Sequence, residues 1–296
     1  MPLHQCIRTP IRIRGDGMSD TAFCPTCLAA RCVCASPPTL PVTASPLAIV
    51  LTDVRAFLCE YVVFPTEETA TAATLWVAHA HAIDAFYSTP RLAFLSPEPG
   101  SGKSRALEVI ATLVPRPIHA VNATPAALFR SVSDDGDSPT ILYDEIDTVF
   151  GPKTADLNDP TRGFINAGHK RGPDSIRCVG MGTNQQVQAF SSFCAMALAG
   201  LNDLPDTIAT RSVIVAMRKR APHERVKPWR MRNEPRGHAL RDALADALAP
   251  HMEALRDAEP VMPEGVEDRP ADVWEPLLAI ADAAGGEWPT LARAAA

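Results

Sequence analysis

The stretch that most restricts how this chain can fold is RLAFLSPEPGSGKSRALEVI, Arg91 to Ile110. An apolar run, Leu92 to Leu95, enters a turn rich in Gly, Pro and Ser, and the turn opens into Ala106, Leu107 and Ile110 at helical spacing. Strand, loop and helix in that order, with Gly100-Ser101-Gly102-Lys103-Ser104 at the junction, predict a phosphate-binding loop. Its glycines let successive backbone N–H groups face one anion at a helix N-terminus. Lys103 is expected to reach the β and γ phosphates of ATP, and Ser104 to hold magnesium. Glu98, Pro99 and Arg105 flank these five residues and complete the candidate nucleotide-binding set. Where the full motif opens on Gly, this chain has Pro97.

Downstream, ILYDEID (Ile141 to Asp147) reads as a buried strand ending in acids. Asp144 is expected to bind magnesium through water, and Glu145 to polarise the attacking water. In nucleoside triphosphatases that place a catalytic glutamate beside the magnesium aspartate, a further strand separates the acidic strand from the phosphate-loop strand. The apolar segment CAMALAGL, Cys194 to Leu201, is expected to fill that place. The alternation of strands and helices predicts an open, mostly parallel α/β sheet.

Composition narrows the partners. A net charge of -6 supplies no global basic field, so nucleic acid must be met by a local patch. The basic concentration runs from Arg218-Lys219-Arg220 through Arg225, Lys227, Arg230, Arg232 and Arg236 to Arg241, and it reads as a solvated connector or as a nucleic-acid track. The first twenty residues carry Arg8, Arg12 and Arg14 around no apolar core, which does not fit a signal peptide; Met18 is an alternative start. The most apolar run, Leu47 to Phe64, is broken by Asp53, Arg55 and Glu60, so no membrane span is expected and the location is read as cytoplasmic.

Eight cysteines without an export signal imply reduced thiols or metal ligands. In CPTCLAARCVC, the pairs Cys24/Cys27 and Cys32/Cys34 allow a Cys₄ zinc site, and Cys6 is a spare ligand. The short gap between the pairs equally allows free thiols on a disordered tail. Both readings stand at this point.

The chain divides into a cysteine-containing appendage and linker (1–45), a helical pair (46–90), a P-loop core (91–220), and a basic connector with a helical C-terminal domain (221–296). Ser45-Pro46 and Thr66 are helix starts. His79 and His81, two apart on the second helix, do not share a face, which suits ordinary packing better than metal binding. Ser175 to Gly180 and Val187 to Phe190 alternate around a turn and predict a β-hairpin.

From about Leu75 onward the chain resembles a family of P-loop ATPase domains of unassigned function found in phage, plasmid and bacterial proteins beside primase or helicase modules. The stretches that carry the resemblance are LWVAHAHAIDAFYSTPRLAFLSPEPGSGKSRALEVI, AVNATPAALFR, ILYDEIDTVFG, INAGHKRG, ALAGLNDLPDTIATRSVIVAMRKRAPHE and VWEPLLAIADAAGGEWP. The resemblance implies an α/β core like that of AAA+ proteins and superfamily 3 helicases, with helical parts at both ends. It implies a hairpin that grips DNA, here Ser175 to Phe190, with His169, Lys170, Arg171 and Arg177 near it. It also implies a polar sensor, Asn202, and an arginine, Arg211, that acts on the ATP of a neighbouring subunit in a homo-oligomeric ring. The function expected is a magnesium-dependent ATPase coupled to remodelling of nucleic acid, single-stranded DNA foremost. The alternative is a nucleotide-switched module that recruits a partner and hydrolyses slowly.

Overall fold

The computed structural model of the chain describes residues 44–120, 124–133, 138–150, 159–172, 175–179, 186–201 and 203–296. The Ser45 hydroxyl accepts the Ala48 N–H at 3.0 Å and Pro46 occupies the first turn, so α1 (Pro46–Tyr61) starts with its orphan donors partly satisfied. Thr66 and Thr69 form a reciprocal capping box that starts α2 (Glu67–His81). Helix α2 is buried on every side from Ala70 to Ala80, which explains its run of alanines and the absence of a polar face. His79 lies wholly inside; burial pushes its imidazole down to about 3, and its Nε2 sits 2.9 Å from the Thr89 hydroxyl. It is a packing residue.

The strands are β1 (Arg91–Ser96), β2 (Pro117–Ala120), β3 (Thr140–Tyr143), β4 (Ser175–Val179), β5 (Gln186–Phe190), β6 (Ala195–Leu201) and β7 (Ser212–Ala216). Five of them form one parallel sheet in the order β2-β3-β6-β1-β7. The CAMALAGL strand therefore lies between β3, which carries the acids, and β1, which carries the glycine turn, as the analogy with nucleoside triphosphatases led us to expect. The remaining two, β4 and β5, pair antiparallel as a separate ribbon.

Alternation along each central strand splits the core in two. Leu92 and Phe94 of β1, Ala195, Ala197 and Ala199 of β6, and Val213 and Val215 of β7 face one apolar cluster. That cluster also holds α1, α2, α3 (Lys103–Ala111), α8 (Glu234–Leu248), α10 (Asp268–Ala284) and α11 (Trp288–Ala295). Ala93, Leu95, Ile141, Tyr143, Met196 and Leu198 face the other cluster, with α4 (Pro125–Ser133), α5 (Asp147–Phe150), α6 (Asp159–Ala167) and α7 (Asp206–Ala209). Strands covered on both faces need apolar residues at every position, and this is why β1 and β6 read as unbroken hydrophobic runs. Residues 44–296 form one compact unit.

The first two helices and the late helices α8, α10 and α11 share the first layer. The Ser45 hydroxyl donates to the Ala284 carbonyl at 2.6 Å, and the Trp288 indole N–H donates to the Ala48 carbonyl at 3.1 Å. The C-terminal helical region starts at Glu234, with Pro235 tolerated in the first turn; a single 3₁₀ turn at Ala249–His251, containing Pro250, separates α8 from α9 (Met252–Arg256). At Gly237 of α8 a Cβ would come within 2.6 Å of Thr112 Cβ and 3.3 Å of Phe57. The helix can approach α3 and α1 only because the side chain is missing. Gly237→Ala is expected to cost about 1–3 kcal/mol by overpacking, read as a lower urea midpoint with an unchanged m-value; an unchanged midpoint would show that α8 moves away freely.

Candidate functional site

Strand β1 is buried along its length and ends at Ser96, whose hydroxyl both accepts the Glu98 N–H at 3.2 Å and donates to the Glu98 carbonyl at 3.1 Å. This local bonding turns the chain out of the sheet. Gly100 and Gly102 then take left-handed φ values of 77° and 92°, which glycine adopts without steric cost. Gly102 is the N-cap of α3 and provides no side-chain acceptor, so the first amides of that helix are left to an outside partner. Pro97, standing where the fuller motif has Gly, is exposed on the rising arm of the turn.

Lys103 folds back over the turn. Its ammonium donates to the Glu98 carbonyl and to the Ser101 hydroxyl, both at 3.1 Å. Burial lowers its pKa, and the fields of Asp144 and Asp147 oppose that shift. Ser104 is exposed at the start of α3. The other flanking residues are engaged within the fold: Glu98 pairs with Lys219 at 2.9 Å, and Arg105 is turned along α3 onto Glu108 at 3.1 Å.

The acids approach from β3, with β6 between. Two inter-strand spacings of about 4.8 Å set the lateral separation. Strands β1, β6 and β3 are parallel and in register, so the glycine turn and the acidic turn emerge at the same edge of the sheet. Asp144 accepts the Glu145 N–H on its own Oδ1 at 2.9 Å. Glu145 is exposed and holds a left-handed φ of 57°, a conformation that costs a non-glycine residue free energy. The turn is docked on the end of β6: Ile146 N–H donates to Ala199 O at 2.9 Å, and Asp147 Oδ1 accepts the Leu201 N–H at 3.0 Å. A Cβ on Gly200 would come within 2.6 Å of Ile146 and 3.1 Å of Asp147.

Sequence reasoning assigned no role to Asp147, yet it ties the acidic turn to the sheet and adds to the negative field at Lys103. The signal for it was the second aspartate of DEID together with a glycine near the end of the CAMALAGL strand. The uncapped helix start, the lysine, the exposed serine and the acids at one sheet edge fit a nucleoside triphosphate with magnesium. Among the described residues no group of three or more His, Cys, Asp or Glu side chains is placed to hold a metal ion.

Other expected residues lie elsewhere. Arg211 is at the far edge: it immediately precedes β7, and its carbonyl accepts the Arg91 N–H at 2.9 Å where β1 begins. It cannot reach the glycine turn of its own molecule. Asn202 and the cysteines Cys6, Cys24, Cys27, Cys32 and Cys34 lie outside the described residues. Arg177 is in β4. Arg171 is committed to the fold, with its guanidinium 4.4 Å from the Phe193 ring centre and 3.0 Å from Asp84. Much of the basic run is paired as well: Arg218 with Glu224, Lys219 with Glu98, Lys227 and Arg236 with Glu60, and Arg241 with Asp242. The connector reading suits these pairs better than a continuous track.

Residues 216–296 match the model of a family described as "Protein of unknown function (DUF3631)". A protein of Saccharopolyspora erythraea, described as "Uncharacterized 28.9 kDa protein in xis 5'region", is 55% identical over 82 residues, 27% of this chain and 30% of its own length. The chain thus spans about a third of that relative. The solved structure titled "The A form apo structure of NrS-1 C terminal region-CTR" is similar at 11% identity and a TM-score of 0.38, over 78% of this chain and 50% of its own. The family match begins at the end of β7, beside the glycine turn, where Met217 N–H donates to Leu95 O and Lys219 pairs with Glu98, and it covers the C-terminal helices.

The docking of the acidic turn is testable. Asp147→Ala removes the acceptor of a part-buried backbone N–H and is expected to lower stability by about 1–2 kcal/mol, whereas Asp147→Asn keeps an acceptor oxygen and loses much less. Equal losses in thermal denaturation would show that the hydrogen bond to Leu201 contributes little.

Proposed function

We propose that residues 91–220 are a magnesium-dependent ATPase core of the P-loop type, set between the helical pair of 46–90 and the connector and helices of 221–296. The observation that carries this reading is the placement of Lys103, an ammonium over a left-handed glycine turn, within the electrostatic reach of Asp144 and Asp147. Three further observations support it: the strand order with β6 between the two turns, the uncapped start of α3, and the exposed Glu145 on a strained backbone.

In this reading the α3 amides and Lys103 bind the phosphates, with Lys103 exchanging the Glu98 carbonyl and the Ser101 hydroxyl for phosphate oxygens. Ser104 and Asp144 hold the magnesium ion, which supplies neutralisation of the phosphate charge. Glu145 orients a water and accepts its proton, and its exposure beside Asp144 suits that task. Glu98, Pro99 and Arg105 wall the turn. Asn202 follows the last residue of β6 and is assigned the sensor role. Coupling to nucleic acid, single-stranded DNA first, is the leading use.

A second reading, a nucleotide-switched module that recruits a protein partner and turns over slowly, is favoured by the hairpin. Among its described side chains the exposed large apolar ones are Ile176 and Val187, at 72% and 73%, while the aromatic Phe190 is buried, and aliphatic residues offer bases none of the stacking that aromatic ones give.

Lys103→Ala is expected to abolish ATP binding, and Glu145→Gln to bind ATP while turnover falls on the order of 10²-fold or more. Calorimetric titration and phosphate-release assays measure the two. ATP affinity unchanged in Lys103→Ala would overturn the ATPase reading. Turnover raised by single-stranded DNA favours the remodelling use, and turnover indifferent to it favours the switch.

A further inference from the structure

The segment leading into β1 is pinned to the backbone carbonyls of three other segments. The Thr89 N–H donates to His169 O and the Arg91 N–H to Arg211 O, both at 2.9 Å, and the Ser88 hydroxyl donates to Asp272 O at 3.2 Å. Between the segments held in this way lies a cavity of about 140 Å³, where β1 begins rather than where its glycine turn leaves. At about 30 Å³ per water it has room for a few waters or one small oxyanion.

Charge around the cavity is lopsided. Lys170, Arg211 and Arg269 line it with Asp272 as the one carboxylate, and Asp272 is already paired with Lys170 at 3.1 Å. Arg269 reaches only the Thr210 hydroxyl, at 3.4 Å. Among the described residues the partly buried Arg211 side chain makes no hydrogen bond or ion pair. Next to Arg211 in the sheet, Arg91 is buried with carbonyls as its partners, Cys194 O and Ile165 O, and its Nε atom is unbonded.

These cations act on one another. Burial lowers the pKa of Arg211, and the field of Arg269 lowers it further. Burial likewise lowers His169 against its hydrogen bond to Asn166 O, and Arg211, Arg91 and Lys170 add to the shift. Guanidinium groups held together at a partly dry site without a counter-ion are unfavourable, and an anion received between them removes that cost. Planar guanidinium forks suit tetrahedral oxyanions, whose oxygens accept paired N–H bonds.

We propose that this cavity binds a tetrahedral dianion, inorganic phosphate foremost, held within one molecule by Arg211 and Arg269 with Lys170 beside them. The anion joins the first turn of α10, in the stretch that matches the family of unknown function, to the residue before β7 and the entry of β1. A C-terminal helix is thereby fastened to the sheet through a solute, and the strength of the junction follows the concentration of phosphate. The site is complete in a single copy of the chain and does not depend on the ATPase reading.

The test uses the full chain without nucleotide, melted in phosphate and, as control, in chloride at matched ionic strength. With phosphate a hundredfold above the Kd found by calorimetric titration, the melting temperature should rise by about 5 °C over its value in chloride. The glycine turn is a second place for phosphate, so Lys103→Ala is melted alongside, and the rise should persist there. In Arg269→Gln and in Arg211→Gln the rise should be lost. Their melting temperatures in chloride should stand at or above that of the unaltered chain, because one unbalanced cation has gone. Arg269→Lys, which keeps the charge and loses the fork, should retain part of the rise.

No rise in phosphate overturns the proposal, and a rise that chloride reproduces is screening and overturns it equally. A rise lost in Lys103→Ala and kept in both arginine variants belongs to the glycine turn, with the same result. Arginine variants that melt well below the unaltered chain in chloride show that the guanidinium groups serve the fold itself, and the anion site falls.

Discussion

One strand holds the candidate site together. β6 lies between the strand that carries the glycine turn and the strand that carries the acids, and its last residues hold the acidic turn through Ala199 and Leu201. Without that docking, Asp144 and Glu145 would sit on a loop free to swing from Lys103. The strained backbone at Glu145 is tolerated because hydrogen bonds on both sides of it fix the turn. The missing side chain at Gly200 is the condition for the close approach.

The layers beneath serve that edge. Alternating residues of β1, β6 and β7 bury one face of the sheet against the helices from both chain ends, and the other face against α4 to α7. At the opposite edge, Arg91 is buried without a carboxylate partner; it donates to Cys194 O at 2.7 Å and to Ile165 O at 3.1 Å, and burial lowers it to about 10. A buried cation held by carbonyls fixes the start of β1 relative to β6 and α6, and so fixes the register that brings the two turns together.

Local signals made much of this legible. Glycines at left-handed positions, Ser45 and Thr66 at helix starts, and apolar runs bounded by turns gave the elements, because those features act within a few residues; the place of β6 came from the analogy with nucleoside triphosphatases. The role of Asp147 was missed, since its partner is the backbone N–H of Leu201 and the only traces in sequence are the second aspartate of DEID and the nearby Gly200. The joining of α1 and α2 with α10 and α11 was not legible for a related reason: helical period shows that a face is apolar but not which other face covers it. The basic run left the connector and the nucleic-acid track both open by composition alone, because Glu60, Glu98 and Glu224, which neutralise much of it, are distant in sequence or outnumbered within it.

The pairing of α1 and α2 with α10 and α11 bears on the order in which the molecule can be made. During synthesis α1 and α2 leave the ribosome early, with Leu47, Leu51, Trp76 and their neighbours shaped for helices that do not yet exist. The bonds from Ser45 to Ala284 and from Trp288 to Ala48 can form only when the last helices have emerged. Until then the parts of α1 and α2 that meet α10 and α11 wait uncovered, and exposed apolar surface of that kind is prone to association. Translation halted before α10 would release a chain whose first helices lack that part of their cover.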